Sequence, residues 1–177
     1  MTIITRWLVR VPPFLMLASL AFPGRASAAV RPLSVEELTV DAKVIVIGKI
    51  AAVTSSWNRG RTQILTRVDL QPDDMLKGTP SGDRIAFVYL GGQSGNIGSV
   101  IAEAPSFTVG ERVVLFLRPR RDGQLGLLAL SQGKFSVERD LTSGVDMAVR
   151  RVPGSGDVLD QMPLQMLRSR VLVALGK

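Results

Sequence analysis

The stretch DAKVIVIGKIAAV, Asp41 to Val53, is an apolar run with one glycine near its middle and a lysine on either side. Val44 to Ile47 is continuously apolar, the pattern of a strand buried on both faces. After Gly48 it loosens to Lys49, Ile50, Ala51, Ala52 and Val53. A glycine inside a strand marks a bulge or a sharp bend, because no side chain resists the kink. A first strand that bends there can lend its two halves to different sides of one shell, which is how a small barrel begins to close.

The residues that follow supply the rest of such a shell. Asn58-Arg59-Gly60 is turn chemistry, and the next segment alternates, with Ile64, Thr66, Val68 and Leu70 on one face and Arg67, Asp69 and Gln71 on the other. This predicts a long hairpin. Turn residues from Leu76 to Asp83 precede a third strand over Arg84 to Leu90. Glu111 to Arg118 predicts a fourth, with Val113, Leu115 and Leu117 on one face and Val114 and Phe116 on the other. After an Asp-Gly turn at Asp122-Gly123, Gln124 to Ser131 is the fifth, continued by Phe135 to Arg139 beyond a break at Gln132-Gly133. Between the third and fourth strands runs GGQSGNIGSVIAEAPSFTVG, Gly91 to Gly110, a connection of about twenty residues, long enough to be functional.

Helices are predicted at both ends. Ser34-Val-Glu-Glu37 has the spacing of a capping box, opening a short helix from about Val35 to Thr39. Leu164, Leu167, Val171, Leu172 and Leu175 recur at helical spacing, predicting an amphipathic helix from about Met162 to Leu175. Asp140 to Asp157 is polar and glycine-punctuated and reads as a loose linker, and the adjacent basic pairs Arg120-Arg121 and Arg150-Arg151 read as solvated turns or tails. The expected fold class is mainly all-β, a five-stranded Greek-key barrel of the oligonucleotide/oligosaccharide-binding type over residues 29–139, with linker and helix over 140–177.

Residues 1–28 read as a secretory leader: Arg6 and Arg10 precede the apolar core FLMLASLAF, Phe14 to Phe22, and the small-residue stretch ASA ends at Ala28. A membrane span needs roughly 20 apolar residues, and this core is shorter. Cleavage is expected between Ala28 and Ala29, leaving 149 residues (177 − 28) with no stable membrane insertion, exported to the periplasm or beyond the cell. A chain of that size can stand on one core without disulfides. The formal net charge of +7 drops to +4 without Arg6, Arg10 and Arg25, and no aromatic residue alternates with the arginines. A nucleic-acid partner is therefore not expected.

Composition also removes chemistry. There is no cysteine and no histidine, which excludes disulfides, thiolate nucleophiles and ligands, the Ser-His-Asp arrangement and the HExxH zinc site. Ser131-Gln-Gly-Lys134 has the S-x-x-K spacing by which a lysine activates a serine, but partner SDN and KTG motifs are missing, and the reading is a bulge or turn in strand five. The glycines from Gly91 to Gly98 lack the Lys-Ser/Thr of a phosphate loop and read as a surface connection. Asp73 and Asp74, adjacent on a strand, should point to opposite faces rather than share a cation.

From Asp41 to Val137 the chain resembles the netrin-like branch of that barrel fold, which includes the tissue inhibitors of metalloproteinases. The matching pieces are DAKVIVIGKI, a strand ending in LKG, GERVVLFL with its Asp-Gly turn, and LLALSQGKF. The same pieces resemble exported bacterial proteins of uncharacterised role. Those inhibitors present an N-terminal cysteine to the protease zinc and are locked by disulfides; this chain has neither, so the resemblance implies fold and carries over no inhibitory residue.

The remaining candidates are binding residues. Trp57 with Arg59 and Arg61 falls at the tip of the first hairpin, the composition favoured at interface hot spots. Gln93, Ser94 and Asn96 lie in the long connection. The expectation is an exported, non-enzymatic domain without cofactor or metal that binds another exported protein or a peptide through these residues, a protease-directed role being one form. The alternative is an envelope carbohydrate or cell-wall module with Trp57, Gln93, Ser94 and Asn96 as its platform.

Overall fold

The computed structural model describes residues 31–79 and 82–177; the expected leader and its Ala28–Ala29 junction lie outside them. Helix α1 (Val35–Asp41) begins as the capping box requires: the Ser34 hydroxyl accepts from the Glu37 amide, and the Glu37 carboxylate accepts from the Ser34 amide. The chain then enters β1 (Val44–Trp57), which pairs antiparallel with β2 (Ile64–Lys77), and β2 pairs in turn with β3 (Ile85–Leu90).

The shell closes with β6 (Arg112–Pro119) and β7 (Leu125–Leu127), which follow a small hairpin, β4 (Gly92–Ser94) and β5 (Ile97–Ser99). β7 returns antiparallel along β6 and meets β3 in parallel, while β6 pairs antiparallel with β1. The ring β1-β2-β3-β7-β6-β1 is thus a closed five-stranded barrel with OB-type strand order.

Closure depends on the coiling of the β1–β2 ribbon. Its register slips between Ile45 and Val46, between Ile47 and Gly48, and between Ile50 and Ala52. Each slip is a bulge that adds twist. Both halves of β1 keep β2 as a partner, and only Val44 to Lys49 also pairs with β6. The expectation that each half would take a separate side is corrected to this extent: the first half is a central strand and the second continues as a ribbon with β2.

The continuous apolar run in β1 has a direct cause, because its two faces meet two cores. Val44 and Val46 point into the barrel with Val113, Leu115 and Leu117. Ile45 and Ile47 join Val114 and Phe116 beneath α1 and the C-terminal helix. The alternation read along the fourth strand is therefore inside the barrel against under the helices, with no face left to water.

Beyond β7 the structure first follows the expected break and continuation of strand five and then departs from expectation. After β7 the chain makes a short 3-10 turn, Leu130–Gly133, and resumes along β6 as β8 (Lys134–Arg139). The expected linker instead carries β9 (Asp146–Arg151), paired with β8, and β9 pairs with β10 (Val158–Pro163). Two tight turns connect these strands, with left-handed Gly144 in the first and Gly154 and Gly156 in the second, so the glycines punctuate hairpins and not a loose tether. Helix α2 (Leu164–Ala174) starts two residues later than expected because Met162 and Pro163 are held in the ladder opposite Ala148 and Met147. Its Leu164, Leu167 and Val171 are buried in the second core, each contributing roughly 1.5–3 kcal/mol.

Arg150 departs from expectation as well. It is no solvated tail residue: its side chain is 4% exposed, inside β9. Its guanidinium donates to the Leu33 carbonyl at 2.8 Å and to Asp160 at 3.2 Å, and lies 5.0 Å from the centre of the Phe135 ring.

Exposed carboxylates fasten the helices and turns. Glu36 on α1 accepts two 2.8 Å bonds from Arg170 on α2, and Asp146 binds Arg139 and Arg112. Asp140 accepts from the amides of Thr142 and Ser143. The Arg170 hydrogen bond chiefly holds Glu36 below its ordinary 4.5, and that of Arg139 holds Asp146 below 3.8. Amide donors do the same for Glu37 and Asp140. A carboxylate depressed in the folded state contributes stability above its unfolded pKa and loses it as pH falls through the folded value. Thermal melts should therefore give a level Tm from pH 7 to about 5 and a falling one below about 4.5, and Glu36→Gln should shrink the fall. A Tm at pH 3 equal to that at pH 7 would contradict this.

Candidate functional site

The β1–β2 hairpin ends in a turn built around Asn58. Its Oδ1 accepts from the amides of Thr62 at 2.8 Å and Gln63 at 3.3 Å, and its Nδ2 donates to the Thr62 hydroxyl. The Arg61 amide donates to the Asn58 carbonyl, with Arg61 itself in the left-handed region at φ 51°. Asn58 thus fixes the tip by the side-chain-to-backbone bonding for which asparagine is favoured in turns. Arg59 and Arg61 stand exposed on it, and neither forms an ion pair among the described residues. Trp57, opposite Ile64 in the last rung of the ladder, is half-buried.

A second hairpin lies against this end of the ribbon. The Gly91 amide donates to the Ile64 carbonyl, the Thr66 hydroxyl to the Gly91 carbonyl at 2.6 Å, and Ser55 and Thr66 share a hydroxyl bond at 2.7 Å. Only glycine fits at 92. A Cβ there would lie 2.2 Å from the Thr66 hydroxyl oxygen and 2.3 Å from that of Ser55, and its φ is 120°. This contact sets β4 and β5 beside β1 and β2, joined by a two-residue turn with Gly95 at φ 61°.

Between the two hairpins is a cleft of about 210 Å³, walled by Trp57, Ile64, Leu90, Ile97, Ser99 and Ile101. Ile97 is 54% exposed and the adjacent Val100 96% exposed. An apolar cluster left in water on an otherwise polar loop is the feature that marks contact surfaces. The remainder of the long connection is anchored: Phe107 packs edge-on to Phe87 at 5.4 Å and against Tyr89 at 5.6 Å in the barrel mouth. Burial raises the Tyr89 hydroxyl above its usual range.

The expected residues are partly gathered here. Trp57 walls the cleft, with Arg59 and Arg61 on the turn that follows it. Gln93, Ser94 and Asn96 belong to the neighbouring hairpin but do not line the cleft, and the Gln93 amide donates to the Gly95 carbonyl at 3.2 Å. The aliphatic wall, Ile64, Leu90, Ile97 and Ile101, was missed. Its one visible signal was the pair Ile97 and Ile101 standing with Val100 in a glycine-rich polar stretch.

The other sequence candidates resolve as structure. Lys134, its side chain 10% exposed, is 2.7 Å from Glu111 and donates to the Ser106 carbonyl at 2.6 Å. Ser131 and Lys134 line one cleft of about 450 Å³, but among the described residues no hydrogen bond joins them. Ser131 sits in the 3-10 turn, the irregularity expected in strand five. Asp73 and Asp74 diverge, one to Arg112 on β6 and the other to Arg168 on α2. Compared with known proteins, the chain matches no family model and no curated protein.

Proposed function

We propose that the chain is an exported, non-enzymatic binding domain that holds a protein or peptide at its Trp57 end, a protease-directed role being one form. The observation that carries this reading is the cleft between two hairpins, largely apolar on its walls and flanked by exposed Ile97 and Val100, with two arginines, unpaired among the described residues, on the turn next to Trp57. Tryptophan and arginine around an apolar centre are the composition of interface hot spots. A sugar-binding use is favoured less, because Gln93, Ser94 and Asn96 do not line the cleft beside Trp57 and the Gln93 amide is spent within its own hairpin. The committed ion pair of Lys134 with Glu111 supports the non-enzymatic part, since it gives Ser131 no free base.

A photo-crosslinking residue placed at Ile97 or Arg59 in the producing cell should yield a defined protein adduct. The same residue at Leu141, in the β8–β9 turn, should give none. Trp57→Ala should reduce the adduct by at least about tenfold, the loss of one hot-spot anchor. Absence of any adduct, or equal adducts from all three positions, would remove the reading.

A further inference from the structure

Among the described residues, strand β5 pairs on one side only, with β4. In a hairpin closed by a two-residue turn, the pair flanking the turn, Ser94 and Ile97, is hydrogen-bonded across. The next pair, Gln93 and Gly98, then directs its N–H and C=O groups away from the partner strand. Gly98 therefore presents a free donor and acceptor at the outer edge of β5. Edges of this kind are ordinarily guarded by charge, proline or a bulge. Another outer strand, β10, has such guards in a register slip between Val158 and Asp160 and in Pro163. From Gly91 to Ile101 there is no charged residue and no proline.

The cleft beside this edge is small. At about 210 Å³ it falls below the roughly 300–1,000 Å³ of small-molecule sites, yet it accommodates one large side chain. Ile97 and Ser99, both lining it, share one face of β5, so a strand laid on the outer edge would turn alternate side chains toward the same space. Arg59 and Arg61 supply positive charge at this end, with no acidic partner among the described residues.

We infer that β5 accepts an added strand: an extended peptide segment carrying one large aliphatic or aromatic residue for the Trp57 cleft and an acidic residue toward Arg59 and Arg61. This rests on the protein-binding reading of the same end and specifies its partner. Three residues of edge provide few ladder bonds, so the anchored side chain contributes most of the hold and the backbone sets register.

The test uses the full chain and a dye-labelled peptide, acetyl-Glu-Thr-Val-Phe-Val-Thr-Glu-amide, followed by anisotropy. Replacing its phenylalanine by alanine should lower affinity at least about tenfold. Gly98→Pro, which removes the outward N–H, should do the same, and a ring carbon there has room, since a Cβ at 98 meets nothing within 4 Å; Leu141→Ala, at an exposed position in the β8–β9 turn, should bind as wild type. Two N-methylated peptides, blocked at alternate positions in the two possible phases, provide a measurement independent of how the proline variant folds: one should fail and the other bind. Strand addition is overturned if the parent peptide does not bind, or if both N-methylated forms and the Gly98→Pro protein bind like their parents. A crosslinked partner at Ile97 alongside either result would leave the protein-binding reading standing while this inference fell.

Discussion

Gly48→Ala is expected to cost about 3 kcal/mol of stability, at the upper end of what one added core methyl does, and to lower Tm by roughly 10 °C for a domain of this size. The cause is contact and not backbone conformation. A Cβ at position 48 would lie 2.3 Å from the Gln71 carbonyl oxygen and 3.1 Å from the Leu70 side chain. The first of these is main chain of the paired strand, which cannot rotate aside. Gly48 is also a rung on both of its flanks, opposite Pro72 on β2 and Val113 on β6, so displacing β2 outward pulls on the seam that closes the barrel. Gly98→Ala serves as the control for a strand glycine in open space, where the same methyl should be harmless or mildly stabilising. Urea unfolding of both variants decides the matter. A Gly48→Ala protein within 1 kcal/mol of wild type would mean that the bend does not depend on the missing side chain.

Where the chain alternates cleanly, its reading and its structure coincide, because the alternation is produced by burial. Val113, Leu115 and Leu117 against Val114 and Phe116 split into the two cores as their spacing requires. The capping box at Ser34 and Glu37 is local chemistry and needs no tertiary partner to be read. β9 was hidden for the opposite reason. In Asp-Met-Ala-Val-Arg-Arg a buried position is occupied by Arg150, whose burial becomes acceptable only through Leu33, Asp160 and Phe135, residues far from it along the chain. Nothing local distinguishes it from Arg151, which is exposed and pairs with Glu138 on β8.

The site follows the same division. Trp57 and its flanking arginines could be placed at a hairpin tip from turn chemistry alone, since Asn58 and Gly60 mark the turn. Which neighbour would face the tryptophan depended on Gly92 seating the second hairpin against Ser55 and Thr66, a close approach that no spacing in the sequence announces. Hence composition points to the polar residues of that hairpin and not to Ile97 within it or Ile101 just beyond it.

Arg150→Ala should destabilise the domain by about 3–5 kcal/mol, the usual result of breaking a buried ionic arrangement from one side. Three elements meet at this side chain. The Leu33 carbonyl precedes α1, Asp160 lies on β10, and the Gln132 carbonyl of the 3-10 turn is 3.5 Å away, while the Gln132 side chain itself accepts from the Leu33 amide at 2.6 Å. Truncation leaves a void over Phe135 and removes the donor from the part-buried Leu33 carbonyl. Burial already acts against the charge: it pushes the guanidinium pKa down, with Asp160 opposing that shift. For this reason Arg150→Met, which keeps volume and removes the buried charge, should lose less than half as much, Asp160 being open enough to water to stay solvated. Hydrogen exchange should show where the alanine variant gives way, with amides of residues 34–42 losing protection before those of β1 and β6. If the alanine variant loses under 1 kcal/mol, or if the methionine variant is the weaker of the two, the arginine is not what fastens the N-terminal helix to the added strands.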